Sequence, residues 1–165
     1  MPETYRVRLE KRELTFSAAH FITFENGQCE RLHGHNYHVA VEVEGLLNEA
    51  GYVVDFLALM AVLKTITGEF DHHVLLPTEH PLIAVRREGE EVIAKFESRR
   101  WVFPAEDCVL LPITQTTAEL LARHIATQTT ERLARDHQWQ PTRITVEVDE
   151  CDGQRGVCQH VSSDT

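Results

Sequence analysis

The chain has 165 residues, of which 42% are hydrophobic and 25% charged, and its formal net charge at pH 7 is −10. Because acidic side chains outnumber basic ones by 26 to 16, we do not expect a protein that binds nucleic acid by neutralising phosphates. No apolar run approaches the roughly 20 residues that span a bilayer, and no signal-peptide core is present. We therefore expect one domain over residues 1–165, cytoplasmic, with no nucleic-acid or membrane partner.

Two long strands are predicted near the start of the chain. Residues 5–20 alternate apolar and polar side chains, but the phase changes between Leu9 and Leu14, which requires a β-bulge near residues 10–13. Residues 33–44 form the second strand, whose apolar face begins at Tyr37 and continues through the valines up to Val43. The loop between them, 21–32, contains an Asn-Gly turn signal. Antiparallel pairing of the two strands is the simplest arrangement.

Three histidines lie at the ends of these strands. His33 and His35 are separated by one glycine, so in a strand both side chains project from one face, which is also the apolar face. His20 ends the apolar face of the first strand, and antiparallel pairing would bring it beside the other two. Three imidazoles with an open fourth position are typical of catalytic zinc. The sequence therefore predicts a Zn²⁺ site formed by His20, His33 and His35.

Cys29 lies just upstream of this pair of histidines, with three residues between it and His33. It could be a fourth ligand that closes the metal site. It could also be a thiolate base whose pKa is lowered by the neighbouring cation, or simply a small half-buried side chain. The spacing alone does not separate these three roles.

Two amphipathic helices are predicted. The first has Asp55 as its N-cap and runs to about Thr67, where Gly68 is a plausible stop signal. Its apolar stripe consists of Phe56, Leu59, Met60, Leu63 and Ile66. The second helix begins at the capping box of residues 116–119 and ends near residues 136–139.

Residues 78–113 have a different character from the rest of the chain. A densely charged stretch at 86–91 is followed by three possible short strands, at 92–96, 100–103 and 109–113. Residues 142–150 form a last strand, and the tail from Cys151 onward is expected to be loosely ordered. The order of elements predicts an α+β fold, an antiparallel sheet with helices on one face.

Two acidic positions have a functional interpretation. Asp71 beside His72 could orient an imidazole and relay a proton, although the same pair also fits a solvated turn. Glu150 continues the inward phase of the last strand. It lies either in water at the sheet edge or in a buried position, where it could accept hydrogen bonds from the N–H groups of a ligand.

The ordered set of motifs resembles the 6-pyruvoyltetrahydropterin synthase family, which includes the 6-carboxytetrahydropterin synthases of the queuosine pathway. Each motif is short, but the set in this order is specific. The matching segments are 16–20, 29–37, 51–56, 71–75, 117–119 and 146–150. The resemblance implies the tunnelling fold (T-fold), a four-stranded antiparallel sheet with two helices on one face. It also implies a homohexamer, a dimer of trimers with sites between subunits. The β-rich segment at about 78–113 is an insertion relative to the usual pattern.

The resemblance also implies roles for the site residues. The zinc ligands would be His20, His33 and His35. The catalytic residues would be Cys29 as the base, with Asp71 and His72, which could reach the site from a neighbouring subunit. The substrate-binding residues would be Glu150, which anchors the pterin ring, and Thr117.

The reaction implied by the resemblance is that of a zinc-dependent lyase acting on 7,8-dihydroneopterin triphosphate. Triphosphate is eliminated and the side chain isomerised, and in the 6-carboxytetrahydropterin branch it is also cleaved to release acetaldehyde. The spacing of Cys29 and His33 favours this branch over 6-pyruvoyltetrahydropterin synthase. The residues are also compatible with a non-catalytic pterin-binding or purine-binding module, and with a zinc hydrolase on another fold.

Overall fold

The structure is a computed structural model that describes residues 3–162. Within this range the chain forms two helices, α1 (Phe56–Phe70) and α2 (Ala118–His137), and a short 3-10 turn at Ala105–Asp107. The strands are β1 (Tyr5–His20), β2 (His33–Gly45), β3 (His73–Pro77), β4 (Ala84–Glu88), β5 (Glu91–Phe96), β6 (Arg99–Pro104), β7 (Cys108–Leu111), β8 (Arg143–Cys151) and β9 (Gln154–Val161). Neither helix is both long and apolar enough to cross a membrane.

The main sheet has six strands in the order β7-β3-β1-β2-β8-β9. Strands β1, β2, β8 and β9 form an antiparallel group of four, and β3 and β7 extend it in parallel beside β1. Both helices pack on the apolar face of this sheet, where Leu63 of α1 and Leu121 of α2 join the buried valines of β2 and β8. This confirms the predicted α+β class and T-fold, with a sheet wider than expected.

The pairing of β1 with β2 sets the geometry of the strand ends. His20 lies opposite His33, and Ala18 lies opposite His35. The register shifts between Glu10 and Thr15, which confirms the predicted bulge. Because of this shift, the apolar residues on both sides of the bulge face the same core.

Helix α1 begins as predicted and ends later than predicted. The Asp55 side chain accepts a hydrogen bond from the Leu57 amide at 2.8 Å and caps the helix. Gly68, predicted as the stop, lies inside the helix, because one further turn buries Phe70 edge-on against Phe16 at 5.4 Å between ring centroids. Phe56, predicted on the buried stripe, is 48% exposed because it occupies the first helical position, at the edge of the core.

Helix α2 begins one residue later than the predicted capping box. Thr117 is the N-cap, and its hydroxyl accepts a hydrogen bond from the Leu120 amide. Thr116, the cap implied by the sequence pattern, is instead fully buried and contacts His20. Because the cap lies at Thr117, the Thr116 carbonyl is available to accept a hydrogen bond from His20 at the predicted metal site.

Strands β4, β5 and β6 form a separate three-stranded antiparallel sheet within the segment expected to be an insertion. It covers a second apolar cluster, in which Phe21 from the β1–β2 loop meets Val92, Ala94 and Phe96 of β5. The short strands near 92–96 and 100–103 are confirmed. Strand β4 was missed because four of its five residues are exposed, so the sequence shows no buried face.

The segment after Cys151 is ordered up to residue 162, so the prediction of a loosely ordered tail is wrong there. Strand β9 pairs antiparallel with β8 and lies against α2. The polar sequence of β9 does not indicate this packing against α2, because the central contact is made by a glycine. A Cβ atom at Gly156 would lie only 2.3 Å from the Glu119 amide nitrogen.

Candidate metal centre and adjoining pocket

The structure brings the three predicted ligands together at one end of the β1–β2 pair. His20 is buried, at 2% exposure, whereas His33 and His35 are half-buried. One ligand nitrogen from each residue lies within 4.8 Å of the others, and His33 Nε2 is 3.0 Å from His35 Nε2. Nitrogens bound to one tetrahedral zinc at about 2.0–2.1 Å lie about 3.3–3.4 Å apart. The His33 and His35 nitrogens are already near that separation, and the widest of the three spans would have to shorten when the metal binds.

Two of the histidines bind backbone carbonyls through Nδ1, which leaves their Nε2 atoms available to a metal. His20 Nδ1 lies 2.8 Å from the Thr116 carbonyl, and His33 Nδ1 lies 2.9 Å from the Arg31 carbonyl. Because a carbonyl can only accept, both Nδ1 atoms carry the proton and each Nε2 presents a lone pair. Burial also lowers the pKa of His20 to about 4, so its imidazole is neutral at pH 7. The residues therefore fit a zinc ion.

A cavity of about 380 Å³ opens beside the histidines. His20 and His33 form one side, and the first turn of α2 together with the ends of β8 and β9 forms the rest. Its other polar lining residues are Glu30, Thr117, Glu119, Glu150, Gln154 and Arg155. Both predicted substrate-binding residues, Glu150 and Thr117, thus lie in the same pocket as two of the predicted zinc ligands.

The electrostatics of this pocket favour a ligand rich in N–H donors. Glu30, Glu119 and Glu150 supply carboxylates, whereas Arg155 is the one arginine or lysine among the described lining residues. Carboxylates accept hydrogen bonds in pairs, so a flat ring with adjacent N–H groups can bind one of them in a bidentate manner.

Cys29 is close to the metal site in sequence but does not line this pocket. Its side chain packs, half-buried, against the second apolar cluster, near Trp101 and Cys108. Burial raises the pKa of the Cys29 thiol, and the partly opposing positive charge of Arg99 does not reverse the shift. The thiol therefore packs with the sheet of β4, β5 and β6, where burial favours its protonated form.

His72 lines a second cavity, of about 520 Å³, which also borders Gly34 and His35. His72 Nδ1 is 2.9 Å from the Asp71 carboxylate, and the imidazole is 82% exposed. The Ser17 amide donates to Asp71 at 2.8 Å and holds the pKa of that carboxyl below its usual value. The pair is thus a fixed, outward-facing unit that the single chain does not direct into the pocket of Glu150.

Glu30 is a site residue that the sequence did not indicate. Its carboxylate lines the pocket, accepts a hydrogen bond from the Ile22 amide at 3.1 Å and lies 3.9 Å from His33 Nδ1. It occupies a loop without periodicity, so its direction could not be inferred from alternation. The available signal was its position next to Cys29. Two successive residues of an extended segment point to opposite sides, so only one of these two side chains can face the pocket.

Comparisons with known proteins place this geometry in a family context. The chain is 37% identical over 123 residues to a putative 6-carboxy-5,6,7,8-tetrahydropterin synthase of Methanocaldococcus jannaschii, covering 73% of this chain and 74% of that protein. It is 29% identical over 136 residues to the 6-carboxy-5,6,7,8-tetrahydropterin synthase of Haemophilus influenzae, covering 77% and 82%.

A solved structure shows similarity over almost the whole chain. It is a catalytic-residue variant of Plasmodium vivax 6-pyruvoyltetrahydropterin synthase, in which a glutamate is replaced by alanine. The TM-score is 0.88 at 26% identity, covering 97% of this chain and 99% of that one. The family model described as 6-pyruvoyl tetrahydropterin synthase matches residues 9–160. The chain therefore belongs to the 6-pyruvoyl tetrahydropterin synthase family.

Proposed function

We propose that the protein is a zinc-dependent 6-carboxy-5,6,7,8-tetrahydropterin synthase, a cytoplasmic lyase acting on 7,8-dihydroneopterin triphosphate. The observation that carries the proposal is that His20 and His33, two members of the cluster of three histidines, line the same pocket as Glu150. The names of the relatives in M. jannaschii and H. influenzae support the carboxy branch. So do the three residues between Cys29 and His33.

Each part of the pocket has a role in this proposal. His20, His33 and His35 would hold Zn²⁺, which when bound supplies Lewis-acid polarisation of the substrate's side-chain hydroxyls. Glu150 would accept two hydrogen bonds from the N–H edge of the pterin ring and so set its orientation. Thr117 lies in the same pocket, where it would contact the ring.

Proton transfer is assigned to Cys29, Asp71 and His72, and this assignment favours an oligomer. Within one chain neither Asp71 nor His72 lines the pocket of Glu150, and His72 lines the second cavity instead. A second copy could bring its own pair to the pocket from outside. We therefore propose a homohexamer, a dimer of trimers, in which neighbouring chains complete each site.

Glu30 is a second candidate for proton transfer. Variants of the Plasmodium enzyme that replace a glutamate by alanine or by cysteine are described as catalytic-residue mutants. In this chain Glu30 is the pocket glutamate that lies 3.9 Å from a predicted zinc ligand. A carboxylate in that position can take up or deliver a proton at the substrate's side chain.

The product distinguishes the proposed activity from the competing synthase activity. We expect the zinc-loaded protein to convert 7,8-dihydroneopterin triphosphate to a 6-carboxy product, with release of acetaldehyde and triphosphate, detectable by mass spectrometry. A 6-pyruvoyl product would instead support 6-pyruvoyltetrahydropterin synthase, the candidate favoured by the structural match that covers 97% of this chain. Absence of any reaction would contradict both activities and favour a binding module.

A pair of variants tests which group transfers the proton. If the Cys29 thiol is the base, Cys29→Ala lowers kcat by about 10²–10⁴-fold, the usual contribution of a positioned acid or base, while zinc is retained. Glu30→Gln, measured under the same conditions, shows whether the carboxylate contributes as well. Cys151→Ala is the matched control, because Cys151 is exposed at the end of β8.

Two results would change the assignment. Loss of zinc in Cys29→Ala would make the thiol a metal ligand. Normal turnover in Cys29→Ala together with a large loss in Glu30→Gln would move the role of the base from the thiol to the carboxylate.

A further inference from the structure

Arg99, the first residue of β6, connects the inserted sheet to the loop that precedes the histidine pair. Its Nη1 donates to the Cys29 carbonyl at 2.9 Å and its Nη2 donates to the Glu30 carbonyl at 3.1 Å. One guanidinium group thus binds two successive carbonyls, 70 and 69 residues away in sequence. Such a planar, charged fork is more directional than a lysine ammonium.

The guanidinium group is itself held in place by aromatic side chains. Its central carbon lies 4.6 Å from the centroid of the Trp101 ring. Trp101 in turn stacks on Phe21 at 4.4 Å between centroids, with an interplanar angle of 21°. Phe21 directly follows the first predicted zinc ligand, so this stack joins the inserted sheet to both arms of the site.

Fixing the two carbonyls also fixes the directions of the two side chains. Cys29 points toward the cluster under the inserted sheet, and Glu30 points into the pocket. The bridge between Thr23 and Cys29 keeps the segment extended, which places consecutive side chains on opposite sides. For Cys29 to reach the pocket, both bonds from Arg99 would have to break.

We propose that Arg99 is a positioning residue through which the inserted sheet sets the direction of the Cys29–Glu30 segment, holding the thiol away from the pocket and the carboxylate toward it. The catalytic meaning of this arrangement rests on the proposed function. The positional claim does not, because it concerns only the exposure of Cys29.

The reactivity of the Cys29 thiol tests the positional claim directly. In the full-length protein, alkylation by iodoacetamide is followed by peptide mass spectrometry, with the exposed Cys151 as internal reference. Arg99→Met is expected to raise the rate at Cys29, relative to Cys151, by about tenfold or more, because the loop is released. Arg100→Met is the matched control, since Arg100 is the exposed next residue of β6.

The sign of the change separates positioning from simple electrostatics. The positive charge of Arg99 favours the thiolate, so its loss without any loop movement would slow the alkylation of Cys29. A slower or unchanged rate in Arg99→Met would therefore overturn the proposal. A similar increase in Arg100→Met would also overturn it.

Global unfolding is distinguished by the remaining thiols. Cys108 and Cys158 are half-buried, so unfolding would accelerate their alkylation together with that of Cys29. If Arg99→Met behaves in this way, Arg99→Lys decides the question, because it keeps the charge and loses the fork. Faster alkylation of Cys29 alone in Arg99→Lys supports the proposal, and an unchanged rate contradicts it.

Catalysis supplies an independent readout. If the protein has the proposed activity and Glu30 transfers the proton, Arg99→Met should lower kcat more than it raises KM, because the carboxylate loses its direction whereas Glu150 and Thr117 still bind the ring. If the wild-type protein shows no turnover, the proposed function fails, whereas the alkylation result still decides the position of the thiol.

Discussion

Replacing His33 with alanine is expected to lower the affinity for Zn²⁺ by more than about 100-fold, the upper end of the effect of losing an outer-sphere partner of a ligand. His33 supplies one of three nitrogens that lie within 4.8 Å of one another, and its Nδ1 is already bound to the Arg31 carbonyl. The variant leaves two imidazoles, which hold zinc far less tightly than three. Zinc content per chain, measured after dialysis against a zinc-buffered solution, checks this result.

His38→Ala is the matched control for this experiment. His38 belongs to the same strand, and its Nε2 contacts the Lys11 carbonyl at 3.1 Å on the opposite face. Its removal should leave the zinc content unchanged. Retention of one zinc per chain by His33→Ala would contradict a site formed by the three histidines. Because His33 is half-buried, a normal circular dichroism spectrum is expected in both variants.

The convergence of the histidines could be predicted because it depends on two regular features of the sequence. Strand alternation places His33 and His35 on the face that continues at Tyr37, and antiparallel pairing brings His20 opposite His33. The fold class followed for the same reason, from apolar periodicities and from the order of the motifs. Local sequence patterns are sufficient to predict the direction of a side chain where one face of the strand or helix is buried.

The directions of Cys29 and Glu30 could not be predicted, because they depend on a contact with no local signature. The segment lies in a loop, and one of the groups that bind it is Arg99, far along the chain. The parallel addition of β3 and β7 was hidden for a related reason. These strands are five and four residues long, and they pair with each other across the three-stranded sheet that separates them in sequence.

Strand β9 was missed because its packing depends on the absence of a side chain, which hydrophobic patterns do not register. Gly156 lies against the first turn of α2, where an added Cβ would meet the Glu119 amide nitrogen at 2.3 Å and the Ala118 carbonyl carbon at 2.4 Å. Both are backbone atoms, so they cannot rotate away as a flexible side chain would. The strand and the helix would have to separate.

Gly156→Ala is therefore expected to destabilise the protein by about 3 kcal/mol, at the upper end of the cost of overpacking. For a chain of this length the midpoint of thermal unfolding should fall by roughly 6–12 °C. The separation would also widen the pocket between Thr117 and Glu150, since Gly156 is one of its lining residues. Thermal unfolding followed by circular dichroism measures the main effect.

Gly68→Ala makes the same chemical change but is expected to alter the stability in the opposite direction. Gly68 lies inside α1, and a Cβ there would meet no atom within 4 Å. Because alanine loses less backbone entropy than glycine in a helix, this variant should stabilise the protein by about 0.5–1 kcal/mol. Equal stability of Gly156→Ala and the wild type would mean that β9 does not pack directly on α2. The pocket wall formed by β9 would then have to be reassigned, together with the position of Glu150 relative to the first turn of α2.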